Sequence, residues 1–319
     1  MTTELYFSIG LILAGFVLLS FGGEYLVRGS ATLALQLGIS PLVVGLTVVA
    51  LGTSAPELVV CIQAALAGRG AIGAGNVVGS NILNIGLILG LSVIIAPMQV
   101  QSRILRADIP ILILITCIGI AMLWNAYLSR IEGAILFAIL VGYLWFTIWS
   151  TRERWGGRRE EVTVTRQTGT VWKYIGLILV GFAGLIIGAD CLVRGAIPIA
   201  RFLGMTEAAI GLTIVATGTS MPEIATCVAA ALRKESDIAL GNIIGSNIFN
   251  LLAILGIASI ITPMSVGGLT ATDLLTMLGF TVILVPFART GFHFARWEGA
   301  VLLLGYCAYI YVLWPKGGS

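Results

Sequence analysis

Two stretches of this chain repeat one another, and together they decide the fold. GLTVVALGTSAPELVV at Gly45–Val60 matches GLTIVATGTSMPEIAT at Gly211–Thr226 at ten of 16 positions. GNVVGSNILNIGLILG at Gly75–Gly90 matches GNIIGSNIFNLLAILG at Gly241–Gly256, again at ten of 16 positions. Both matches have the same offset of 166 residues, without gaps. The constant offset indicates an internal duplication and predicts two similar halves.

The composition around these motifs is that of a membrane protein. Of the 319 residues, 58% are hydrophobic and 10% are charged, and the mean hydropathy is +1.03. A water-soluble core of this size cannot hide so many apolar side chains. The composition therefore excludes an ordinary soluble enzyme, a disordered chain and a nucleic-acid binder. The five cysteines lie in apolar stretches and predict no disulfide framework. A single histidine, His293, leaves no histidine-based triad.

Ten apolar runs are long enough to span a bilayer as helices. They do not alternate with period two, so a barrel is not predicted. The first run has no basic start and is too long for a cleavable signal peptide. The spans are predicted at about 5–37, 41–67, 72–96, 107–126, 131–150, 172–204, 207–232, 238–262, 271–289 and 296–315.

A polar segment with five arginines, residues 151–171, divides the ten predicted spans into five and five. We therefore predict a first five-helix repeat at 1–150, a linker loop at 151–171 and a second repeat at 172–319. The arginines place the loop in the cytoplasm and both termini on the other side of the membrane. Because each repeat has an odd number of spans, the second enters the membrane from the opposite side. Inverted repeats of this kind are typical of secondary transporters, with the substrate site at the midplane.

Glu57 and Glu223 are acidic residues deep inside predicted spans. A charge at the centre of a membrane helix costs at least ~2.5–3.5 kcal/mol, so it indicates a functional site. Each glutamate follows a Thr-Ser-x-Pro sequence, and proline breaks the helical hydrogen-bonding pattern. The break is predicted to free carbonyls in the preceding turn. Carboxylate, hydroxyl and carbonyl oxygens suit Na⁺ or Ca²⁺. The oxygen donors expected beside the glutamates come from Thr53, Thr219, Ser54, Ser220, Ala50 and Ala216.

The second motif adds polar side chains on the neighbouring spans. Ser80 with Asn84, and Ser246 with Asn250, are spaced to lie on one helix face. Soft thiolate or imidazole ligands are absent from the motifs, which argues against Zn²⁺ or Cu⁺.

Structural roles are an alternative for several of these residues. Ser54 and Ser220 could form capping boxes with the glutamates. The glycines of the second motif could permit close helix packing, and Asn81 and Asn247 could hydrogen-bond between helices. Two further acidic residues near helix ends, Glu24 and Asp190, are each followed four residues later by an arginine, Arg28 and Arg194, a spacing that predicts intrahelical ion pairs.

These paired motifs closely resemble the two α-repeats of the sodium/calcium exchanger family, prokaryotic type, within the cation/calcium antiporter superfamily. The resemblance implies an all-α membrane protein with ten transmembrane helices in two inverted five-helix repeats. It further implies that helices 2, 3, 7 and 8 bind the ions and that helices 1 and 6 slide across them to alternate access.

The resemblance also implies roles for individual residues. Glu57 and Glu223 would be the central ligands shared by Ca²⁺ and Na⁺. The remaining positions would complete the metal sites: Thr53 and Thr219 with backbone and hydroxyl oxygens; Ala50, Ala216, Ser80 and Ser246 at the outer Na⁺ sites; and Ser54, Ser220, Asn84 and Asn250 along the middle of the cavity.

The implied activity is Na⁺/Ca²⁺ antiport in the cell inner (plasma) membrane, which with three Na⁺ per Ca²⁺ would be electrogenic and would extrude Ca²⁺. No enzymatic activity and no cofactor besides the transported ions are expected. Some relatives, including potassium-dependent ones, carry aspartate where this chain has Asn84 or Asn250. The site here thus has two formal negative charges, which argues against K⁺ co-transport. H⁺/Ca²⁺ or other divalent cation exchange is the alternative, because buried carboxylates can titrate. An intramembrane hydrolase and a simple channel fit the residues less well.

Overall fold

A computed structural model describes residues 2–37, 39–156, 171–202 and 216–313. Within these ranges the regular secondary structure is helical apart from four two-residue strands. The predicted linker beyond residue 156 and the beginning of the predicted span at 207–232 lie outside the described residues. The helices are α1 (Thr2–Leu37), α2 (Pro41–Thr53), α3 (Ala55–Leu66), α4 (Gly70–Ile95), α5 (Ile104–Leu123), α6 (Arg130–Gly156), α7 (Val171–Phe202), α8 (Ala216–Thr219), α9 (Met221–Leu232), α10 (Ser236–Ile261), α11 (Ala271–Arg289) and α12 (Arg296–Leu313).

Seven of the described helices are long and apolar enough to cross a membrane, and the bent pair α2–α3 raises the number to eight. Two predicted spans are not among these. One corresponds to α9, whose described part has 12 residues, and the other to α12, which begins with Arg296 and Glu298. The chain is thus a multi-pass, all-helical membrane protein, while the count of ten spans stays a prediction.

The helices differ in how much of their surface is buried. In α4 and α10, 72% and 89% of the most apolar window is buried. These are the helices that carry the second repeated motif, so its polar side chains must find partners inside the protein. The α1 helix instead exposes large apolar side chains such as Phe7, Leu13 and Phe16, as expected of a helix that faces lipid.

The chain divides into two compact units, and each draws on both sequence halves. Unit 1 comprises residues 1–59 and 141–245, and unit 2 comprises residues 60–140 and 246–319. The predicted repeats at 1–150 and 172–319 are defined by sequence similarity, whereas these units are defined by packing, so the units do not test the repeats.

In unit 1, α1 and α7 pack along a seam of glycines. A Cβ atom at Gly15 would lie 2.8 Å from the Gly188 carbonyl oxygen, and one at Gly29 would lie 3.0 Å from the Tyr174 carbonyl oxygen. Because the contact moves toward the start of α7 as it moves along α1, the helices run antiparallel. Small residues let the two backbones approach closely.

Unit 1 also contains the contact between α10 and α2. A Cβ atom at Gly241 would lie 2.7 Å from the Leu42 carbonyl oxygen, and one at Gly245 would lie 2.7 Å from the Leu46 carbonyl oxygen. These glycines therefore permit close packing, as their spacing predicted. No described atom lies within 4 Å of a Cβ atom built at Gly75 or Gly79, the matching glycines of the first repeat. The residues equivalent to Leu42 and Leu46 lie outside the described part of the chain.

In unit 2, pairs of contacts recur at the offset of 166 residues. A Cβ atom at Gly90 would lie 2.9 Å from the Gly299 carbonyl oxygen, and one at Gly256 would lie 3.1 Å from that of Gly133. The two strand pairs are also related by this offset. Strand β1 (Met98–Gln99) pairs with β4 (His293–Phe294), and β2 (Tyr127–Leu128) pairs with β3 (Met264–Ser265), both antiparallel.

Candidate cation-binding site

Each Thr-Ser-x-Pro-Glu segment contains the helix break that its proline predicts. Ser54 leaves helical geometry at φ −82° and ψ 5°, and the axes of α2 and α3 differ by 45°. Ser220 adopts nearly the same conformation, φ −89° and ψ 5°, immediately before α9. Glu57 and Glu223 therefore lie in the first turn of a new helix. There the unpaired backbone N–H groups create a positive local potential that stabilises a carboxylate.

The two carboxylates accept hydrogen bonds from serines of the opposite repeat. The Ser220 hydroxyl donates to Glu57 Oε1 at 2.9 Å, and the Ser54 hydroxyl donates to Glu223 Oε1 at 3.0 Å. Ser220 makes no side-chain hydrogen bond that caps its own helix. The observed bonds therefore favour a role for these serines at the glutamates over the capping-box alternative.

Both glutamates are buried and incompletely satisfied. Glu57 is 1% exposed and Glu223 is 3% exposed. The Oε2 atom of each carboxylate has no hydrogen-bond partner among the described residues. The crossed bonds from Ser54 and Ser220 place the two carboxylates in one buried cluster of unit 1. Burying two unpaired negative charges is strongly unfavourable unless a cation compensates them.

Another buried carboxylate, that of Asp108, lies beside an arginine. Asp108 in unit 2 is fully buried, and Arg103 Nε lies 3.6 Å from its Oδ2 atom. In the described part of the chain, neither Glu57 nor Glu223 has such an arginine or lysine partner. Those ranges also contain no group of three or more His, Cys, Asp or Glu side chains suited to a metal. The ligands available to a cation among the described residues are thus two carboxylates and neighbouring neutral oxygens.

Threonines precede both serines and approach the same glutamates. Thr53 interacts with Glu223, and Thr219 interacts with Glu57. Thr53 is fully buried, and its hydroxyl also donates to Asn242 Oδ1 at 3.1 Å. Asn242 belongs to the repeated motif, but no role for it was predicted from the sequence.

The Ala50 carbonyl differs from its prediction. The proline was expected to free it, but Ser54 N–H still donates to it at 3.0 Å. Pro56 lacks only its own N–H, whose helical acceptor would be the carbonyl four residues earlier. Ala50 O therefore keeps at most one lone pair available, and the Thr53 hydroxyl oxygen lies 3.3 Å from it. The matching residue, Ala216, begins α8, and its side chain is outside the described set.

In unit 2, four asparagines form a symmetric network. Asn84 Nδ2 donates to Asn247 Oδ1 at 3.1 Å, and Asn250 Nδ2 donates to Asn81 Oδ1 at 3.0 Å. Asn81 Nδ2 also donates to the Asn247 carbonyl at 3.3 Å. Asn81 and Asn247 thus form hydrogen bonds between helices, which is the structural role predicted for them.

The network leaves particular oxygens unused. Asn84 Oδ1 and Asn250 Oδ1 are buried without a partner among the described residues, as is the Ser246 hydroxyl oxygen. Asn84 and Asn250 each begin a π-helical turn, a local distortion that is frequent at functional sites. Ser80, the residue that matches Ser246, is also buried in α4. All four predicted residues of the second motif are thus buried, and three of them have an oxygen without a partner among the described residues.

A multi-pass helical membrane protein with two unneutralised carboxylates and several spare neutral oxygens is, as a class, a carrier of hard metal cations. Oxygen ligands select such cations over soft metals. The chain belongs to the sodium/calcium exchanger protein family, whose profile matches residues 7–149 and 173–314.

Individual relatives cover almost the whole chain. It is 38% identical to the putative antiporter CaxA of Alkalimonas amylolytica, over 96% of this chain and 98% of that protein. It is 33% identical to the sodium/calcium exchanger MaX1 of Methanosarcina acetivorans, over 95% and 97% of the two chains. Among solved structures it is similar to the sodium-calcium exchanger NCX_Mj soaked with Na⁺ and Sr²⁺, with a TM-score of 0.85, 31% identity and coverage of 96% and 98%.

Proposed function

We propose that this protein exchanges Na⁺ for Ca²⁺ across the membrane, with Glu57 and Glu223 as ligands for both ions. The observation that carries the proposal is the pair of buried carboxylates, each with one oxygen bonded to a serine and the other without a partner among the described residues. Membership in the exchanger family and the names of the relatives support the choice of ions.

Further ligands are proposed on the motifs and on the oxygens that remain available in each unit. In unit 1, hydroxyl and carbonyl oxygens would join the carboxylates, and in unit 2 the buried amide and hydroxyl oxygens are candidates in their own right. The proposed ligands in addition to the glutamates are Thr53, Thr219, Ser54, Ser220, Ala50 and Ala216 in unit 1, and Ser80, Ser246, Asn84 and Asn250 in unit 2.

Charge explains why transport is coupled in this proposal. One Ca²⁺ balances the charge of the two carboxylates, as two Na⁺ would, whereas three Na⁺ exceed it by one positive charge. Without ions the two bare negative charges face a low-dielectric surrounding, and the resulting penalty disfavours switching of the empty carrier. An exchange of three Na⁺ for one Ca²⁺ would move one net charge in each cycle, so that an inward Na⁺ gradient would drive Ca²⁺ out of the cell.

The proposed architecture is ten transmembrane helices in two inverted repeats, with the loop at 151–171 in the cytoplasm and both termini outside. Two kinds of observation support it: the constant sequence offset, and hydrogen bonds that occur in matched pairs, such as those from Ser54 and Ser220. Labelling of single introduced cysteines with a membrane-impermeant reagent in intact cells tests the orientation. Label on a cysteine in the loop, but not on one at the C-terminus, would contradict it.

The test of function is Na⁺-driven uptake of ⁴⁵Ca²⁺ into proteoliposomes. Vesicles loaded with Na⁺ and diluted into Na⁺-free medium are expected to take up Ca²⁺ with the wild-type protein but not with Glu57→Gln or Glu223→Gln. Glu132→Gln is the matched control, because Glu132 accepts from the Ser129 N–H and hydroxyl at its own helix start. Normal uptake by both site variants would refute the ligand assignment.

Two further arms of this experiment separate the alternatives. If three Na⁺ leave for each Ca²⁺ that enters, an inside-positive potential should accelerate uptake, whereas two-for-one exchange would show no such dependence. Uptake driven by a pH gradient in the absence of Na⁺ would instead support H⁺/Ca²⁺ exchange.

A further inference from the structure

The hydroxyl of Thr53 lies between two acceptors in unit 1 but has one hydrogen to donate. Its Oγ1 atom is 3.1 Å from Asn242 Oδ1 and 3.3 Å from the Ala50 carbonyl oxygen. All three residues are fully buried. Which acceptor receives the hydrogen decides which oxygens remain available to a cation.

The Ala50 carbonyl can spare one lone pair at most. A carbonyl oxygen has two lone pairs, and the Ser54 N–H already occupies one at 3.0 Å. If Thr53 donated to Ala50, the carbonyl would be saturated. If Thr53 donates to Asn242, the second lone pair of Ala50 O stays free, and the hydroxyl oxygen of Thr53 can still accept or coordinate.

The orientation of the Asn242 amide is fixed by a further bond. Its Nδ2 atom donates to Cys227 Sγ at 3.3 Å, and the Cys227 thiol in turn donates to the Ala239 carbonyl at 3.8 Å. With the nitrogen held by the sulfur, the amide oxygen is the atom presented to Thr53. The chain of bonds therefore runs from the proposed ligand Thr53 to a buried cysteine one helical turn beyond Glu223.

We propose that Asn242 is a positioning residue for Na⁺ binding, because it holds the Thr53 hydrogen away from oxygens that coordinate the ion. The inference rests on the proposed function, in which Thr53 and Ala50 are Na⁺ ligands. Without the amide oxygen, the hydrogen goes to Ala50 O or to Glu223, which Thr53 also approaches. Either choice occupies a ligand oxygen, and the loss of Ala50 O weakens Na⁺ binding in particular.

The main test variant is Asn242→Leu, which has a similar size and no acceptor. The Na⁺ concentration for half-maximal Ca²⁺ uptake is expected to rise about five-fold, since one hydrogen bond is worth ~1 kcal/mol and a factor of ten ~1.4 kcal/mol. The half-maximal Ca²⁺ concentration should change less than about two-fold on the same scale, because the glutamates are retained. Equal loss of affinity for both ions would overturn the proposal.

A double-mutant cycle tests whether Thr53 mediates the effect. Thr53→Val removes the hydroxyl, so Asn242→Leu should cause no further change in that background. A full effect of Asn242→Leu in the Thr53→Val protein would refute the role of the hydrogen bond.

Two variants at Cys227 keep the test valid even if Asn242→Leu fails to fold. Cys227→Ser preserves a group that can accept from the amide and donate to Ala239, so it should resemble wild type. Cys227→Ala releases the amide and should raise the half-maximal Na⁺ concentration in the same direction as Asn242→Leu. Identical Na⁺ dependence of the two variants would count against the proposal. Absence of Na⁺-driven uptake in the wild type would instead refute the proposed function itself.

Discussion

Gly245→Ala is predicted to destabilise the protein and to impair transport, because Gly245 packs directly behind the proposed site. A Cβ atom at this position would lie 2.7 Å from both Ala50 Cβ and the Leu46 carbonyl oxygen, and 2.9 Å from Leu46 Cα. Optimal contacts between carbon atoms are ~3.5–4.0 Å. Backbone atoms cannot rotate aside, so α2 and α10 would have to separate by about 1 Å.

The size of the effect follows from two opposing terms. Overpacking of this kind costs about 1–3 kcal/mol, while replacing glycine by alanine within a helix gains ~1 kcal/mol. Gly279→Ala in α11 is the matched control, because no described atom lies within 4 Å of its added Cβ. The control gains the helix propensity of alanine without overpacking. Gly245→Ala should therefore be less stable than Gly279→Ala by about 1–3 kcal/mol of unfolding free energy.

Thermal unfolding in detergent, followed by tryptophan fluorescence, compares the two variants, and ⁴⁵Ca²⁺ uptake measures function. Ala50 lies one helical turn before Thr53, so a shift of α2 should move the Thr53 hydroxyl and lower uptake in Gly245→Ala more than in Gly279→Ala. Equal stability of the two proteins, together with wild-type uptake by Gly245→Ala, would refute the packing argument.

Two other predictions concern charged side chains of unit 1. Arg233 Nε lies 2.6 Å from Glu24 Oε2, and both side chains are more than one-third exposed. Glu24→Gln should therefore lower the free energy of unfolding by at most ~1 kcal/mol, and by more at low than at high salt. Asp190→Asn, which removes a more exposed ion pair, should lower it by less. Equal effects of the two variants on thermal unfolding would contradict this. Burial and the nearby Asp237 raise the pKa of Glu235 above its ordinary value of 4.5, and Arg233 opposes them. A carboxyl group whose pKa is raised by folding reduces the stability of the folded state as the pH increases through that pKa. Glu235→Gln should therefore raise the unfolding temperature at neutral pH but not below about pH 4. A higher unfolding temperature of the variant that persists in acid would exclude the raised pKa as its cause.

The sequence predicted those features of the site that arise locally. Proline lacks an N–H, so the breaks before Glu57 and Glu223 follow from the covalent structure of Pro56 and Pro222. The burial of the two glutamates was predictable for a similar reason, because each lies inside an apolar run. Both features depend on neighbouring residues along the chain, whose positions the sequence gives directly.

Partners that are distant in sequence could not be predicted in this way. Glu24 was expected to pair with Arg28, four residues along α1, but in the structure it pairs with Arg233 at the end of α9. The equivalent prediction for Asp190 and Arg194 is confirmed, with Nε to Oδ2 at 2.8 Å. The spacing along one helix shows which charged side chains can form an ion pair within it. Packing, however, brings Arg233 within reach of Glu24, whereas Asp190 keeps its pair with Arg194.

The crossed hydrogen bonds at the glutamates explain why polar residues are retained in both repeats. Glu57 receives its hydrogen bond from Ser220, and Glu223 receives its bond from Ser54. Each half thus supplies one carboxylate and the donor for the other half's carboxylate. A change in one repeat leaves an unsatisfied charge in the other, at a penalty larger than that of a lost neutral hydrogen bond. The two TSxPE segments are therefore constrained as a pair, which packing of apolar helices alone would not require.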